Sequence, residues 1–185
     1  MPVEEGLDLE KRYVIEAGKL MVISARTAPK SKGEDDILTA LVYGEEKDRL
    51  AEEMMKLAEE RGGTWGRDAA NVKDSDAVVL IGVRGVKSLG LSCGACGYSS
   101  CEEFNKAEKR RGRDYRGPVC IFKVLDLGIA LGSAAKTASM LNIDNRVMYR
   151  VGVAATRLGM LPEADILLGI PISARGKNIY FDRKT

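Results

Sequence analysis

Residues Ala77 to Val83 read AVVLIGV, an unbroken apolar run between Asp76 and Arg84. A strand with apolar side chains at successive positions has both faces covered, so this run predicts a central strand of a buried sheet. Outward from it toward the N-terminus, Leu50, Met54, Leu57 and Ala58 keep helical spacing over roughly 45–60, and Gly62-Gly63 ends that helix. Ile37 to Tyr43 reads as a strand. Val14, Ala17, Gly18, Met21, Val22 and Ala25 mark a first helix, with Asp8 its expected N-cap and Pro29 and Gly33 closing it. Toward the C-terminus, Glu102 to Arg111 reads as a short helix and Val119 to Val124 as a second buried strand. Leu127, Leu131, Ala134, Ala135, Ala138 and Leu141 predict a helix whose small side chains permit close packing. Val147, Val151, Ala154, Ala155 and Leu158 predict another, and Ile166 to Ile170 a last strand stopped by Pro171. No repeat, low-complexity tract or linker interrupts the pattern. The chain is therefore expected to be one α+β domain over 1–185, its mixed sheet flanked by helices and a segment at 92–120 inserted within it.

Composition narrows the chemistry. The 185 residues include no His, so neither a Ser-His-Asp nor a Cys-His catalytic set exists, and imidazole metal ligands are excluded. Gln is absent too, while Lys, Arg and Glu are abundant, a bias that predicts a heat-adapted host. A formal net charge of +2 gives no drive toward nucleic acid or membrane. No apolar run approaches the roughly 20 residues that span a bilayer. The polar start MPVEEGLDLEKR is unlike a signal peptide, which predicts a cytoplasmic protein.

All four cysteines fall in one segment, as Cys93-x2-Cys96-x4-Cys101-x18-Cys120. In a reducing cytosol such clustering points to metal binding or redox work rather than to structural disulfides. Three thiolates so close in sequence can converge on one centre only if the loop curls tightly. Gly94 and Gly97 supply that freedom and leave amides near any bound sulfide. Cys101 is expected to start a helix, and Cys120 to close the site from a strand. These residues suit an iron–sulfur cluster. A structural zinc held by four thiolates is the main alternative, although the second knuckle pair usual in zinc sites is missing. Unligated or reversibly oxidised cysteines are a third.

The motif resembles a module of corrinoid iron–sulfur proteins and of the B subunit of the Rnf electron-transport complex. There a CG-x-CG-x3-C core and a later fourth Cys hold a [4Fe–4S] cluster, and Cys93, Gly94, Cys96, Gly97, Cys101 and Cys120 match it. MVISARTAPKSKGEDD and AVVLIGVRG resemble the opening half of nitroreductases, and DLGIALGSAAKTASMLNID and RLGMLPEADILLGIPIS their closing half. That resemblance implies an α+β homodimer with FMN at the subunit interface. Two family features are replaced. Only Lys11-Arg12 stands for the phosphate-holding Arg-Arg-Ser, and Lys32-Gly33-Glu34-Asp35-Asp36 stands for Asn/Gln-Pro-Trp. Nearly the whole chain resembles an uncharacterised prokaryotic family described as containing a ferredoxin domain, through ARTAPKSKG, DLGIALGSA, DNRVMY and GIPISARGKNIYFDR.

Smaller signals complete the list of candidates. Arg175 and Lys177 could pair with a phosphate or flavin, or form a solvated loop. Lys106, Lys109, Arg110, Arg111, Arg113 and Arg116 are either a solvated helix end or a docking patch for an acidic carrier such as ferredoxin or flavodoxin. Trp65 reads as a packing residue, and Asp144-Asn145 as a capping turn. Taken together, the residues predict an iron–sulfur redox protein, in electron transfer or reductase chemistry. The different-class alternative is a four-cysteine zinc protein without redox work. A third reading is an FMN-dependent reductase.

Overall fold

The computed structural model describes residues 3–181, so Met1-Pro2 of the polar start and Asp182-Arg183 of the last family phrase lie outside it. Helix α1 spans Gly6–Thr27 and buries Val14, Ala17, Gly18, Met21 and Ala25, the stripe its spacing predicts. Its N-cap is Glu5, and Asp8 sits instead in the first turn, where an acidic group suits the positive helix end. The helix stops because Ala28 precedes Pro29 and takes an extended ψ of 145°. Strand β1 is Ile37–Tyr43, α2 is Glu45–Arg61 and α3 is Trp65–Asp74. Gly62, with φ 67°, ends α2 in the left-handed region that glycine favours. Strand β2 is Ala77–Val83, α4 is Cys101–Lys106, and β3 (Arg110–Arg111) pairs with β4 (Arg116–Gly117) as a small hairpin. Helix α5 is Ile121–Met140, β5 is Asp144–Asn145, α6 is Tyr149–Arg157 and β6 is Ile166–Ser173.

The main sheet runs β1-β2-β6-β5. Each of its pairings is antiparallel, where a mixed sheet was expected. The apolar run of β2 is nevertheless buried at all seven positions, since helices cover both faces. Val78 and Leu80 join a cluster with α2, α3 and α6. Ala77, Val79, Ile81 and Val83 join one with α1 and α5. Two covered faces, rather than parallel neighbours, account for the missing alternation. α1 and α5 lie side by side, joined where Ser24 Oγ donates to Ser133 O at 2.9 Å and Thr137 Oγ1 donates to Ser24 Oγ at 2.8 Å. No helix among the described residues is long and apolar enough to cross a membrane.

Four further expectations are corrected. Asp144-Asn145, read as a capping turn, forms the short strand β5 against β6. Val119–Val124 is not a strand: Cys120 caps α5 and the apolar residues after it are helical. The helix expected to reach Arg111 ends at Lys106, and the basic residues beyond it form the β3–β4 hairpin. Pro171 does not stop β6, which pairs through it with Val78. On the other side of β6 the ladder lapses between Asn145–Ile172 and Met148–Gly169, and Pro171 faces that gap.

Candidate metal centre

The cysteine segment leaves the sheet where β2 ends and returns at the start of α5. One carboxylate holds the departure: Asp165 Oδ2 accepts the Gly85 and Val86 N–H groups at 2.7 and 3.0 Å. The return is fixed beside it, as Cys120 N–H donates to Gly85 O at 2.8 Å. A Cβ on Gly85 would lie 3.0 Å from Val119 Cβ, so the two strands of chain pass at close quarters. Between these points the loop turns through positive φ at Gly90, Ser92, Gly94 and Gly97. Gly97 N–H closes one turn onto Gly94 O at 2.9 Å. The curl expected of the two glycines is therefore present, with φ 73° at Gly94 and 86° at Gly97.

Ser100 caps α4, its Oγ accepting from Glu103 N–H at 3.1 Å, while Glu103 reaches back to Ser99 N–H at 2.9 Å. This places Cys101 as the first helical residue, as expected. Its sulfur accepts the Ser92 N–H at 3.1 Å. Hydrogen bonds hold the Cys101 thiol below the usual range, first from the Ser88 side chain and then from the Ser92 amide, with the Gly90 amide adding to them. Cys120 is buried, forming with Leu89 and Phe104 a small apolar cluster against which Cys96, Tyr98 and Phe122 pack. The Lys109 ammonium stands 3.6 Å over the Phe104 ring centroid and donates to Phe104 O. Burial lowers its pKa, with Cys96 close enough to act in the opposite direction.

The four thiols are free, and all four line one narrow recess. Cys93 is exposed at its mouth and Cys120 is buried at its base. Among the described residues no group of three or more His, Cys, Asp or Glu is gathered as the ligands of one ion. The donor set, thiol sulfur with amide N–H groups directed at it and an apolar wall behind, suits an iron–sulfur cluster.

A protein of Archaeoglobus fulgidus, described as "Uncharacterized protein", is 50% identical to this chain over 176 residues, 95% of each. Residues 116–183 match the family described as "Uncharacterized protein containing a ferredoxin domain". The chain belongs to this ferredoxin-domain family. The matched residues include Cys120 but not the other three cysteines.

Solved structures similar to this ferredoxin-domain protein are nitroreductase-like. Nitroreductase CinD of Lactococcus lactis, in complex with nicotinic acid, aligns with TM-score 0.58 and 16% identity over 99% of this chain and 84% of its own. A nitroreductase of Desulfitobacterium hafniense with bound FMN gives 0.55 and 14% over 96% and 80%. An NADPH:FMN oxidoreductase of Vibrio harveyi, complexed with NAD+, gives 0.52 and 12% over 96%, and this chain spans 63% of its length. At such identities the likeness is one of fold, and it agrees with the α+β, nitroreductase-like architecture expected from the sequence.

The remaining candidates of the ferredoxin-domain protein are dispersed. Arg175 Nη2 donates to Asp74 O at 2.8 Å and meets Asp76 Oδ1 at 3.2 Å, with Lys177 in the segment after it. Asp76 precedes β2 and the cysteine segment follows it, so a strand length of about 20 Å separates Arg175 from the recess. In the basic run, Lys106 pairs with Glu102 and Arg110 with Glu108, each at 2.5 Å. Lys109 turns inward, and Arg111 and Arg113 remain exposed on the hairpin.

A second polar concavity of this ferredoxin-domain protein escapes any sequence motif. Arg61, Arg113, Arg146 and Arg150 line a cleft of about 460 Å³ with Trp65, Asp68, Asp114 and Tyr149. The guanidinium groups of Arg61 and Arg150 stand 5.1 and 5.5 Å from the Trp65 ring centroid, so Trp65 is the packing residue expected of it. Tyr149 O–H donates to Asp114 at 2.5 Å, and desolvation followed by that bond push its phenol up to about 12, so it stays protonated at neutral pH.

Proposed function

We propose that the protein is an iron–sulfur redox protein holding one [4Fe–4S] cluster on Cys93, Cys96, Cys101 and Cys120. The observation that carries this reading is that all four free thiols line one recess. When bound, the cluster supplies reversible one-electron chemistry. The chain's own contribution is to screen and polarise that site. The Ser92 amide donates to sulfur, and Leu89, Phe104 and Cys120 exclude water from the base of the recess. Membership of a ferredoxin-domain family supports the reading. A visible spectrum of protein purified without oxygen tests it: a broad brown shoulder is expected. A structured yellow band would mean flavin, and a colourless preparation zinc or no metal, and either without the shoulder sinks the cluster.

We further propose a homodimer joined through the outer faces of α1 and α5. Leu20 and Ile23 are 48% and 56% exposed on α1, and Leu125 and Ile129 are 52% and 44% exposed on α5. Gly128 and Gly132 leave open space beside them, which allows close approach of a second backbone. Obligate interfaces of this kind bury more than about 2,000 Å². Light scattering should report twice the 20.1 kDa chain mass. Ile129→Arg should shift the protein toward the monomer, and a monomeric parent rules the interface out.

The β3–β4 hairpin, lying in sequence between the third and fourth cysteines, is the surface we assign to an acidic electron carrier. A positive patch there would steer encounter near the recess, over a Debye length of about 8 Å at physiological ionic strength. Arg110→Glu with Arg111→Glu should slow reduction by ferredoxin severalfold at low salt and leave the melting temperature unchanged. Equal rates for parent and variant at every salt concentration would remove the assignment.

A further inference from the structure

The arginine cleft holds more positive charge than its own acids balance. Asp68 receives Arg67 on one oxygen, at 2.9 Å, and Arg150 on the other, at 2.5 Å. Asp114 receives Arg61 at 2.6 Å and the Tyr149 hydroxyl at 2.5 Å. Each carboxylate oxygen in the cleft therefore already has a donor. The guanidinium groups of Arg113 and Arg146 are additional. Arg146 spends one N–H on Tyr180 O, at 3.0 Å, and stands over the Phe181 ring. Arg113 is exposed on the hairpin, and among the described residues no hydrogen bond or ion pair engages it.

Each guanidinium carries five N–H donors and no acceptor, so the cleft has donors and positive charge in excess and is short of oxygen. Among the lining residues, four arginines against two aspartates leave a charge near +2, and Arg67 on Asp68 adds to it. The four arrive from separate places: the end of α2, the β3–β4 hairpin, the turn before α6, and α6 itself. Bringing like charges together from distant parts of the chain is unfavourable unless an anion sits among them. A phosphate monoester carries about −1.5 to −2 at neutral pH and offers three acceptor oxygens that guanidinium forks match. The volume of about 460 Å³ exceeds what a bare anion needs and lies in the usual range for small-molecule sites. Val147 and Tyr149, 42% and 47% exposed, give an organic remainder a surface to rest on.

We propose that the cleft between Arg61, Arg113, Arg146 and Arg150 binds the phosphate group of a small phosphorylated molecule. This site is independent of the cysteine reading, because nothing in it requires a metal. The test is calorimetric titration of the full chain with inorganic phosphate, at constant ionic strength set by potassium chloride. Saturable binding is expected. Arg113→Ala and Arg146→Ala should each weaken it tenfold or more, and Arg113→Lys should restore part of the loss. Arg49→Ala, about 18 Å along α2 from Arg61, removes the same charge and should leave affinity unchanged. Arg113 lies on the surface, so its variants should melt with the parent, and an affinity loss accompanied by unfolding in Arg146→Ala is set aside in favour of the Arg113 pair. Absence of saturable heat, equal affinity in the parent and Arg113→Ala, or equal weakening by Arg49→Ala overturns the proposal. Malonate binding where phosphate does not would replace phosphate with carboxylate and also overturn it.

Discussion

Protein made in iron-fed cells and purified without oxygen will carry about four iron and about four acid-labile sulfide per chain, the content of one cubane cluster. Cys120→Ala will reduce both to background. The four ligands should not be equal. Cys120 is buried at the cap of a 20-residue helix, and its own amide is tied to Gly85, so no neighbouring group can take its place. Cys93 is exposed at the mouth of the recess, where water or an added thiol can reach an open iron site. Cys93→Ala should therefore retain part of its iron under anaerobic conditions and lose it quickly in air. Stoichiometric zinc without iron in the parent protein would falsify the cluster. Full iron content in Cys120→Ala would remove Cys120 from the ligand set while leaving the rest of the idea standing.

Gly152→Ala should be the most damaging single-methyl substitution in the sheet's outer layer. A Cβ at Gly152 would lie 1.6 Å from Leu167 O and 2.3 Å from Leu167 C, so α6 packs directly on the backbone of β6. Backbone has no rotamer to yield. Overpacking of ordinary cores costs about 1–3 kcal/mol, and this contact should exceed the upper end. For a chain of this size that means melting lower by roughly 10 °C or more, or failure to fold. Gly169 offers a comparison, because there the obstacle is a side chain: a Cβ would meet Val151 Cγ1 at 2.1 Å. Gly169→Ala should be severe alone and partly relieved by Val151→Ala, with a coupling of about 1 kcal/mol or more. A Gly152→Ala protein melting within about 2 °C of the parent would show that α6 can shift, contrary to this packing.

The parts of the fold that were legible in the sequence are those whose period is unambiguous. α1, β1, α2 and β2 appear where the spacing of Val14 to Ala25, Ile37 to Tyr43, Leu50 to Ala58 and Ala77 to Val83 places them. Val119 to Val124 misled because a short apolar run is compatible with a strand or with the first turns of a buried helix, and here the helix prevails. α3 was missed because Gly62, Gly63 and Gly66 surround Trp65, and only Trp65, Ala69 and Val72 report its buried face. The four cysteines were legible as a group, being confined to one segment and now found around one recess. The arginine cleft was not. Its members are scattered from Arg61 to Arg150, and only the packing of α2, α6 and the hairpin brings them together.

The narrow neck formed by Asp165, Gly85 and Cys120 has an architectural meaning. The chain leaves and re-enters the scaffold at nearly the same place, and the β3–β4 hairpin is docked beside it through Asp114 and Tyr115, so the sheet has little stake only in the cysteine-bearing part before the hairpin. Closing a loop whose ends are already together costs only slowly more as the loop lengthens. The part of the cysteine segment before the hairpin can thus be exchanged or extended with the helices and sheet left in register. Seen this way, it is a detachable cassette, and the scaffold beneath it is free to host other chemistry at the same opening.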